Sequence, residues 1–282
     1  MKIVTLKEAL SFGYQKLKKA GIRKPLRDSR ILLSFLLNVD KSWLMANLDN
    51  TVEKEKFNRF LKLILRRAKN EPIQYITNIQ PFYKTFVKVG KGCLIPRAET
   101  EFLVEETLKI AATMKSPVIA DLGCGSGAII KALCGELEKA TLIGIEKEIN
   151  SLYWAKKNLN QIHSCQLILG NFEFHSLLKN VDIIVCNPPY LSKEEIKKLP
   201  DEIKLYEPSS ALFTPSPFYY YEKVINFAEQ SLKPNGYVIF EIGSNQAKRV
   251  NHFKKISKSF EVAKKVKDYG KRLRVIILKK KI

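Results

Sequence analysis

The sequence predicts an α/β protein in which a parallel sheet is wrapped by helices and preceded by a small helical bundle. From about residue 117, short apolar runs alternate with helical patterns, which is typical of parallel strands joined by crossover helices. Residues 1–72 instead place their apolar side chains at helical spacing. With 282 residues, 45% of them hydrophobic, the chain is long enough for one large domain or two ordinary ones.

Residues 1–72 are predicted to form four helices. Thr5 and Glu8 have the spacing of a capping box, which marks the start of the first helix, and Gly21 lies near its end. The apolar positions of the four helices are, in turn, Leu6, Leu10, Tyr14 and Leu17; Ile31, Leu32, Phe35 and Leu36; Trp43, Leu44 and Leu48; and Phe57, Phe60, Leu61, Ile64 and Leu65. The basic face of the fourth helix either docks a partner or is simply solvated.

Between residues 73 and 92 we expect a β-hairpin that links two domains, because apolar and polar residues alternate around Asn78 and Pro81. A helix is expected at about 100–113, with Glu99 and Glu101 near its start, where they suit the helix dipole. The pattern then predicts strands at 117–121, 140–146, 165–169, 181–186 and 236–242, helices at 126–138, 150–160 and about 217–232, and a closing antiparallel hairpin of 260–262 with 275–278.

The chain carries 49 Lys and Arg against 28 Asp and Glu, a net charge of +21. This charge indicates an acidic partner, such as nucleic acid, a ribosomal complex or an acidic protein, or equally a proteome-wide bias toward lysine. The five cysteines show no CxxC pairing, so we expect reduced thiols in a cytoplasmic protein, without disulfides or a zinc site. The first residues lack a signal-peptide core, and no stretch approaches the roughly 18 apolar residues that span a bilayer.

The first chemical motif is a strand that runs into a glycine-rich turn. The strand at 117–121 leads into this turn, where Gly123, Gly125 and Gly127 let backbone N–H groups approach a ligand closely at the start of a helix. The next strand ends in Glu146, about 20 residues beyond the glycines, where nucleotide-binding α/β folds place the carboxylate that binds ribose hydroxyls. The two features together fit either a dinucleotide or S-adenosylmethionine.

The second motif, Asn187-Pro188-Pro189-Tyr190, follows the apolar strand at 181–186. Open α/β sheets bind their ligands at the carboxyl ends of strands. The two prolines fix φ and remove two backbone donors, which leaves the Asn187 side chain and the Pro188 carbonyl available to a planar group with an N–H pair, such as an amide or the exocyclic amine of a base. Taken alone, the tetrapeptide is equally a Pro-Pro turn with a capping Asn.

The two motifs together make the sequence similar to Rossmann-like class I methyltransferases that methylate planar nitrogen, since the glycine spacing is not the dinucleotide fingerprint G-x-G-x-x-G. Over essentially its full length the chain resembles the release factor glutamine methyltransferase family. The segments that carry the resemblance are 71–76, 94–101, 121–127, 187–190, 206–212 and 240–246. The resemblance implies a mostly parallel seven-stranded sheet with a C-terminal antiparallel hairpin.

The same resemblance implies a role for each part of the chain. Residues 1–72 would be a helical domain that docks release factors, 73–92 a hairpin linker, and 93–282 the S-adenosylmethionine-dependent methyltransferase domain. The implied reaction is methylation of the side-chain amide nitrogen (N5) of the glutamine in the Gly-Gly-Gln motif of peptide chain release factors, a protein methylation linked to translation termination. We expect a monomer without a membrane partner, for which direct nucleic-acid binding is possible but not required.

Carried over position by position, the resemblance also implies the site residues. The cofactor would be bound by Asp121, Gly123, Cys124, Gly125, Ser126, Gly127, Glu146, Asn171, Phe172 and Asn187. The substrate would be bound by Asn187, Pro188, Pro189, Tyr190 and Arg97, of which Asn187, Pro188 and Tyr190 are the expected catalytic residues. The sequence departs from the family pattern at Ala98, where Pro is usual, at Cys124, where Thr is common, and at Glu146 and Asn171, where Asp is common.

In the expected mechanism, Asn187 Oδ1 and the Pro188 carbonyl each accept one hydrogen of the substrate amide and so orient its nitrogen. No metal is called for, and His163, His175 and His252 are not spaced as ligands. Three rival functions stay open: an N6-adenine methyltransferase for DNA or RNA acting on a flipped base, a glutamine methyltransferase of a ribosomal protein, and a non-catalytic RNA-binding or assembly factor. The lack of a separate target-recognition domain argues against the first, and the presence of Asp121, Glu146 and Asn187 together argues against the third.

Overall fold

The computed structural model of the protein describes residues 4–173, 178–243, 246 and 258–282. These residues form two compact units. The helical unit contains the residues up to Asn78 together with Pro200–Tyr206, and the sheet unit contains Ile79–Leu199 and Glu207–Ile282. Within the described ranges, no helix combines the length and the apolar character needed to cross a membrane.

Helices and strands are numbered in chain order. The helices are α1 (Leu6–Lys19), α2 (Pro25–Leu37), α3 (Lys41–Ala46), α4 (Lys54–Ala68), α5 (Ile73–Thr77), α6 (Glu101–Ala111), α7 (Ala128–Cys134), α8 (Ile149–Leu159), α9 (Lys193–Lys197), α10 (Asp201–Tyr206) and α11 (Tyr219–Ser231). The strands are β1 (Val4–Thr5), β2 (Thr51–Val52), β3 (Ile79–Phe82), β4 (Thr85–Lys88), β5 (Val118–Leu122), β6 (Thr141–Glu146), β7 (Cys165–Leu169), β8 (Val181–Cys186), β9 (Leu232–Glu241), β10 (Phe260–Lys267) and β11 (Leu273–Lys280). Ala98–Thr100 and Ser209–Ala211 are 3-10 turns.

The helical unit buries the inner faces of its helices, as their apolar spacing predicts. The predicted capping box at the start of α1 is confirmed, because the Glu8 N–H donates to Thr5 Oγ1 at 3.2 Å and the Thr5 N–H donates to Glu8 Oε2 at 2.9 Å. The largest fully buried side chains of this core are Leu17, Leu32, Leu33, Leu44, Phe60 and Ile64. The short antiparallel pair of β1 with β2 is an addition that the sequence pattern did not predict.

A buried arginine joins α10 to the rest of the helical unit. Arg67 Nε donates to Asp28 Oδ2 at 2.8 Å, and Arg67 Nη2 donates to Glu202 Oε2 at 2.8 Å. The Tyr206 hydroxyl donates to the Lys69 carbonyl at 2.9 Å. The Arg67 and Asp28 side chains are only 7% and 1% exposed, so their pairing compensates two buried charges. Each has one further, more exposed partner, Glu202 for Arg67 and Arg27 for Asp28.

The predicted hairpin is present but shorter than expected. β3 and β4 pair antiparallel, with Ile79 opposite Lys88. Residues 73–77, which the sequence pattern placed in the hairpin, form α5 instead, so that prediction was wrong. The buried side chains of this segment fit helical spacing as well as alternation, and Asn78, in the left-handed region at φ 57°, ends the helix. The functional domain boundaries at residues 72 and 92 stay a prediction.

The sheet unit contains a seven-stranded sheet in the order β10-β11-β9-β8-β5-β6-β7, in which β11 runs antiparallel to both of its neighbours and the other pairs are parallel. The predicted mostly parallel sheet with a C-terminal antiparallel hairpin is therefore confirmed. β5 pairs with β6 on one side and with β8 on the other, so the strand order reverses beside β5. Open α/β sheets bind ligands at this reversal, outside the carboxyl ends of the strands.

Several short elements escaped the sequence prediction. α9, α10 and the 3-10 turn at Ser209–Ala211 contain no buried residue, so they leave no apolar period to detect. β10 and β11 extend beyond the predicted hairpin. β10 is an edge strand whose side chains are mostly exposed, so most of it carries no apolar signal that a sequence prediction could use. The core beneath β8 and β9 is closed by α11, whose Tyr221 ring meets the Phe240 ring edge-on at 5.4 Å.

Candidate active site

A cleft lies at the carboxyl ends of β5, β6 and β8, where both chemical motifs emerge. Its volume is about 940 Å³, including space open to solvent, which is sufficient for a cofactor-sized ligand. The predicted site residues that line it are Gly123, Cys124, Gly125, Ser126, Glu146, Phe172, Asn187, Pro188 and Pro189. Further lining residues include Leu94, Pro96, Thr100, Cys186, Pro208 and Tyr220.

The glycine turn needs glycine for its backbone shape. Gly123, Gly125 and Gly127 lie in the left-handed region, at φ 74°, 56° and 73°. The N–H groups of Gly123 and Cys124 both donate to the Ile145 carbonyl, at 2.8 and 3.1 Å, which fixes the turn to the end of β6. A Cβ at Gly125 would meet no atom within 4 Å, so the backbone at this position faces open space. A ligand can therefore approach the peptide groups directly.

Glu146 connects the glycine turn to the end of β6. Its Oε2 accepts from the Gly125 N–H at 2.8 Å, and its Oε1 accepts from the Glu148 N–H at 2.9 Å. Burial raises the pKa of Glu146, and these backbone hydrogen bonds counteract the rise. The Lys147 backbone also donates to this carboxylate, so about one of its four lone-pair sites is left for a ligand hydroxyl.

Asp121 is a buried carboxylate two residues before the first glycine of the turn. Its side chain is 1% exposed, and neither oxygen has a hydrogen-bond partner among the described residues. Burial, and then the charge of Glu146, raise the pKa of Asp121 to about 8. A cationic ligand in the neighbouring cleft would stabilise the ionised carboxylate. S-adenosylmethionine carries both an ammonium and a sulfonium, so the residues present fit this cofactor.

The Asn-Pro-Pro-Tyr loop is held by a buried chain of hydrogen bonds. Asn187 Nδ2 donates to Thr100 Oγ1 at 3.0 Å, and Thr100 Oγ1 donates to Glu241 Oε2 at 2.6 Å. The Tyr190 hydroxyl donates to the other oxygen of Glu241 at 3.4 Å. Among the described residues there is no donor to Asn187 Oδ1. Because Asn187 lines the cleft, this oxygen is the side-chain acceptor available to a ligand.

Five predicted site residues are not among those that line the cleft: Asp121, Gly127, Asn171, Tyr190 and Arg97. Arg97 forms an ion pair with Glu207, whose other oxygen accepts from the Ile95 N–H at 3.1 Å. Asn171 Oδ1 accepts from the Glu173 N–H at 3.0 Å and so stabilises its own turn. The direct ligand contacts assigned to these residues stay predictions.

Thr100, Glu207 and Glu241 belong to the site, although no sequence motif assigned them a role. All three lie in segments that carry the family resemblance, namely 94–101, 206–212 and 240–246. The signal that could have found them is the position of Glu241 at the carboxyl end of β9, the strand beside β8. Ser244 and Asn245 of the last segment lie outside the described residues.

The cysteines beside the cleft are poor nucleophiles. All five cysteines are free thiols, and burial raises the pKa of Cys124 and of Cys186 well above the ordinary value. In the described part of the chain, no group of three or more His, Cys, Asp or Glu side chains is arranged to hold a metal ion. His175 and His252 lie outside that part. The cleft therefore offers hydrogen-bond acceptors and a buried carboxylate as its chemical groups.

Comparison with known proteins gives matches over both units. Residues 8–77 match the family model described as the PrmC N-terminal domain, and residues 98–203 match the methyltransferase small domain. A release factor glutamine methyltransferase from Fusobacterium nucleatum is 39% identical over 272 residues, which cover 94% of this chain and 76% of the relative. Another from Thermodesulfovibrio yellowstonii is 36% identical over 260 residues, covering 90% of this chain and 92% of the relative.

Among solved structures, a ribosomal protein L11 methylase from Lactobacillus delbrueckii subsp. bulgaricus aligns with 66% of this chain and 81% of its own. The two sequences are 18% identical in this alignment, and the TM-score is 0.46.

Proposed function

Since this chain belongs to the release factor glutamine methyltransferase family, we propose that it methylates peptide chain release factors at the N5 amide nitrogen of the Gly-Gly-Gln glutamine, with S-adenosylmethionine as the methyl donor. The observation that carries the proposal is that the glycine turn after β5 and the Asn-Pro-Pro loop after β8 line one cleft. A methyl donor and a planar amide bound to these two motifs would be neighbours. The enzyme is proposed to act as a cytoplasmic monomer whose helical unit docks the release factor.

The proposed donor site consists of the glycine turn, Glu146 and the buried Asp121. The open backbone face of the turn at Gly125 and the lone pair left on the Glu146 carboxylate would contact the nucleoside and methionine parts of the cofactor. Phe172 lines the same cleft and presents an apolar face to the adenine ring. When bound, S-adenosylmethionine supplies a methyl group that its sulfonium already activates. The protein therefore needs to position the acceptor nitrogen more than to activate the donor.

Asn187 and Pro188 are proposed to position the acceptor. Asn187 Oδ1 accepts one hydrogen of the glutamine amide, and the Pro188 carbonyl accepts the other. Both acceptors stabilise the positive charge that develops on the nitrogen as it is alkylated. An asparagine cannot act as a base, so the proton leaves to water after the transfer. In this arrangement the two acceptors bind the transition state more tightly than the ground-state amide, because the nitrogen gains positive charge during the transfer.

The direct test measures methyl transfer from labelled S-adenosylmethionine to purified release factor, with a Gln→Ala variant of its Gly-Gly-Gln motif as the control. We expect label on the wild-type factor and none on the variant. Asn187→Ala should lower kcat by about 100-fold or more while cofactor affinity, measured by calorimetry, changes far less, because the other predicted cofactor contacts remain. Equal turnover by Asn187→Ala would contradict the positioning role.

Parallel reactions separate the rival functions. Duplex DNA, RNA and ribosomal protein are offered in place of release factor under the same conditions. Label on nucleic acid would make the Asn-Pro-Pro loop an adenine site and the net charge of +21 a substrate footprint. Label on ribosomal protein alone would identify a glutamine methyltransferase with a different protein substrate. Label on no acceptor would favour a non-catalytic factor.

A further inference from the structure

We infer that Thr100 and Glu241 are positioning residues that fix which end of the Asn187 amide faces the substrate. This inference deepens the proposed function and rests on it. Neither residue would touch the reacting atoms. Thr100 contacts the Asn187 side chain, Glu241 contacts Thr100, and both Thr100 and Glu241 are buried, at 4% and 1% exposure.

The single proton of the Thr100 hydroxyl decides the direction of this chain of hydrogen bonds. A hydroxyl carries one proton, and Thr100 gives it to Glu241 Oε2 at 2.6 Å, a short bond to a carboxylate. Towards Asn187, Thr100 can then only accept a hydrogen. The group of Asn187 that lies 3.0 Å away must therefore be the donor Nδ2, and the acceptor Oδ1 is left for the ligand.

The orientation of the Asn187 amide matters because its two ends are nearly identical in shape, but one donates hydrogen bonds and the other accepts them. If the Asn187 amide turned over, its NH₂ group would face the NH₂ group of a substrate amide, and two donors would meet. The loop alone does not prevent such a rotation. The hydroxyl of Thr100, oriented by the Glu241 carboxylate, makes one of the two orientations favourable.

Glu241 can orient the Thr100 hydroxyl in this way only while its carboxylate is ionised, and its surroundings determine the pH at which it ionises. Burial raises the pKa of Glu241 to about 7, while the hydrogen bonds from Thr100 and Tyr190 and the positive charge of Arg274 favour the ionised form, and Glu99 opposes it. The other groups that face Glu241 are the thiol of Cys186 and the hydroxyl of Tyr221, which donates to the Glu241 backbone carbonyl at 3.3 Å. Protonated Glu241 would itself donate to Thr100, and the Thr100 proton could then turn towards Asn187.

The first test follows the Asn187 side-chain NH₂ signals by NMR in the full-length protein, without cofactor or substrate. These signals are assigned as the pair that is missing from Asn187→Asp. We expect them to shift with pH around 7 in the wild-type protein and in Thr100→Ser, which keeps the hydroxyl. In Thr100→Val the signals should move to a new position and lose this pH dependence.

Thr107, in the helix α6 that follows Thr100, offers a matched control. Like Thr100 it is buried, but its hydroxyl donates to the Leu103 carbonyl, away from the site. Thr107→Val makes the same chemical change as Thr100→Val and should leave the Asn187 signals as they are in the wild type. Asn187 signals that are the same in Thr100→Val as in the wild type would overturn the inference, whatever the protein's substrate.

The second test measures methyl transfer to purified release factor. We expect Thr100→Val to lower kcat by about 10- to 100-fold with KM for the factor within about twofold, and Thr100→Ser to restore the rate. In a double-mutant cycle, Thr100→Val should add nothing to Asn187→Ala, because it acts through that side chain. Independent, additive losses would mean that Thr100 acts through the general fold.

The two tests separate the inference from the proposed function. A wild-type enzyme that transfers no methyl group to the factor would refute the proposed function, and the NMR experiment would still decide how Asn187 is oriented. A wild-type enzyme that is active, with Thr100→Val equally active at every pH, would refute the inference and leave the proposed function standing.

Discussion

Replacing Asp121 with asparagine should make the ligand-free protein more stable at neutral and alkaline pH. The wild-type carboxylate is buried without a hydrogen-bond partner among the described residues, and its pKa is raised from 3.8 to about 8. The folded protein therefore holds a proton that the unfolded chain releases. For an acid with a raised pKa, the stability of the folded state is greatest at low pH and falls as the pH rises from about 4 to about 8. Asparagine does not titrate and is spared this loss.

The size of the effect follows from the linkage between pKa and stability. A pKa difference from 3.8 to about 8 corresponds to roughly 6 kcal/mol, accumulated at about 1.4 kcal/mol for each pH unit between these values. Below pH 4 the two proteins should be similar, because a neutral carboxyl and a carboxamide are close in size and polarity. The advantage of Asp121→Asn should then widen steadily with pH.

Urea unfolding of the wild type and of Asp121→Asn at several pH values between about 5 and 8 measures this difference. Asp182 on the adjacent strand β8 is a suitable control, because its oxygens accept from the Val118 N–H at 2.9 Å and from Lys233 at 2.7 Å. Asp182→Asn should be less stable than the wild type, without a gain that grows with pH. Parallel stability curves for the wild type and Asp121→Asn would refute the reasoning, since they would mean that Asp121 ionises freely in the folded protein.

Two further changes test the packing beneath the site and the core of the helical unit. Gly144→Ala should lower the free energy of unfolding by about 1–3 kcal/mol, because the new Cβ would lie 2.7 to 2.9 Å from Ile130, Leu167 and Cys124. Gly135→Ala is the control, since a Cβ there would meet no atom nearer than 3.6 Å. It should change thermal or urea unfolding little. Arg67→Leu should cost up to about 3–5 kcal/mol, because it leaves the buried Asp28 with only the exposed Arg27 as a cationic partner. An unfolding curve for Arg67→Leu that matches the wild type would show that Arg27 alone compensates the Asp28 charge.

The sequence predicts the parts of this fold that repeat an apolar period, and the structure shows why the other parts escape. β5, β6 and β8 are buried apolar runs separated by helical patterns, so their existence and parallel direction could be predicted directly. α5 could not, since five residues are too few to separate a helical period from alternation.

The same limit applies to the site. The cofactor and substrate loops follow strands and carry diagnostic residue types, so Glu146 and Asn187 could be identified from their positions. Thr100 and Glu241 are 141 residues apart in the chain, and each alone is an ordinary polar residue. Only the pairing of β8 with β9 brings Glu241 to the base of the Asn-Pro-Pro-Tyr loop, and such long-range pairing is not visible in local patterns.

The helical unit is discontinuous in the chain, which affects the order in which the protein can fold. Its final helix, α10, comes about 120 residues after Asn78, and this helix supplies the carboxylate of Glu202 to Arg67. On the ribosome, α1 to α5 emerge long before that partner exists, so the unit cannot be completed until most of the sheet strands have been synthesised. Closing so long a loop adds to the entropic cost of the last step. Completion of the helical unit thus reports that the chain has been made at least as far as Tyr206.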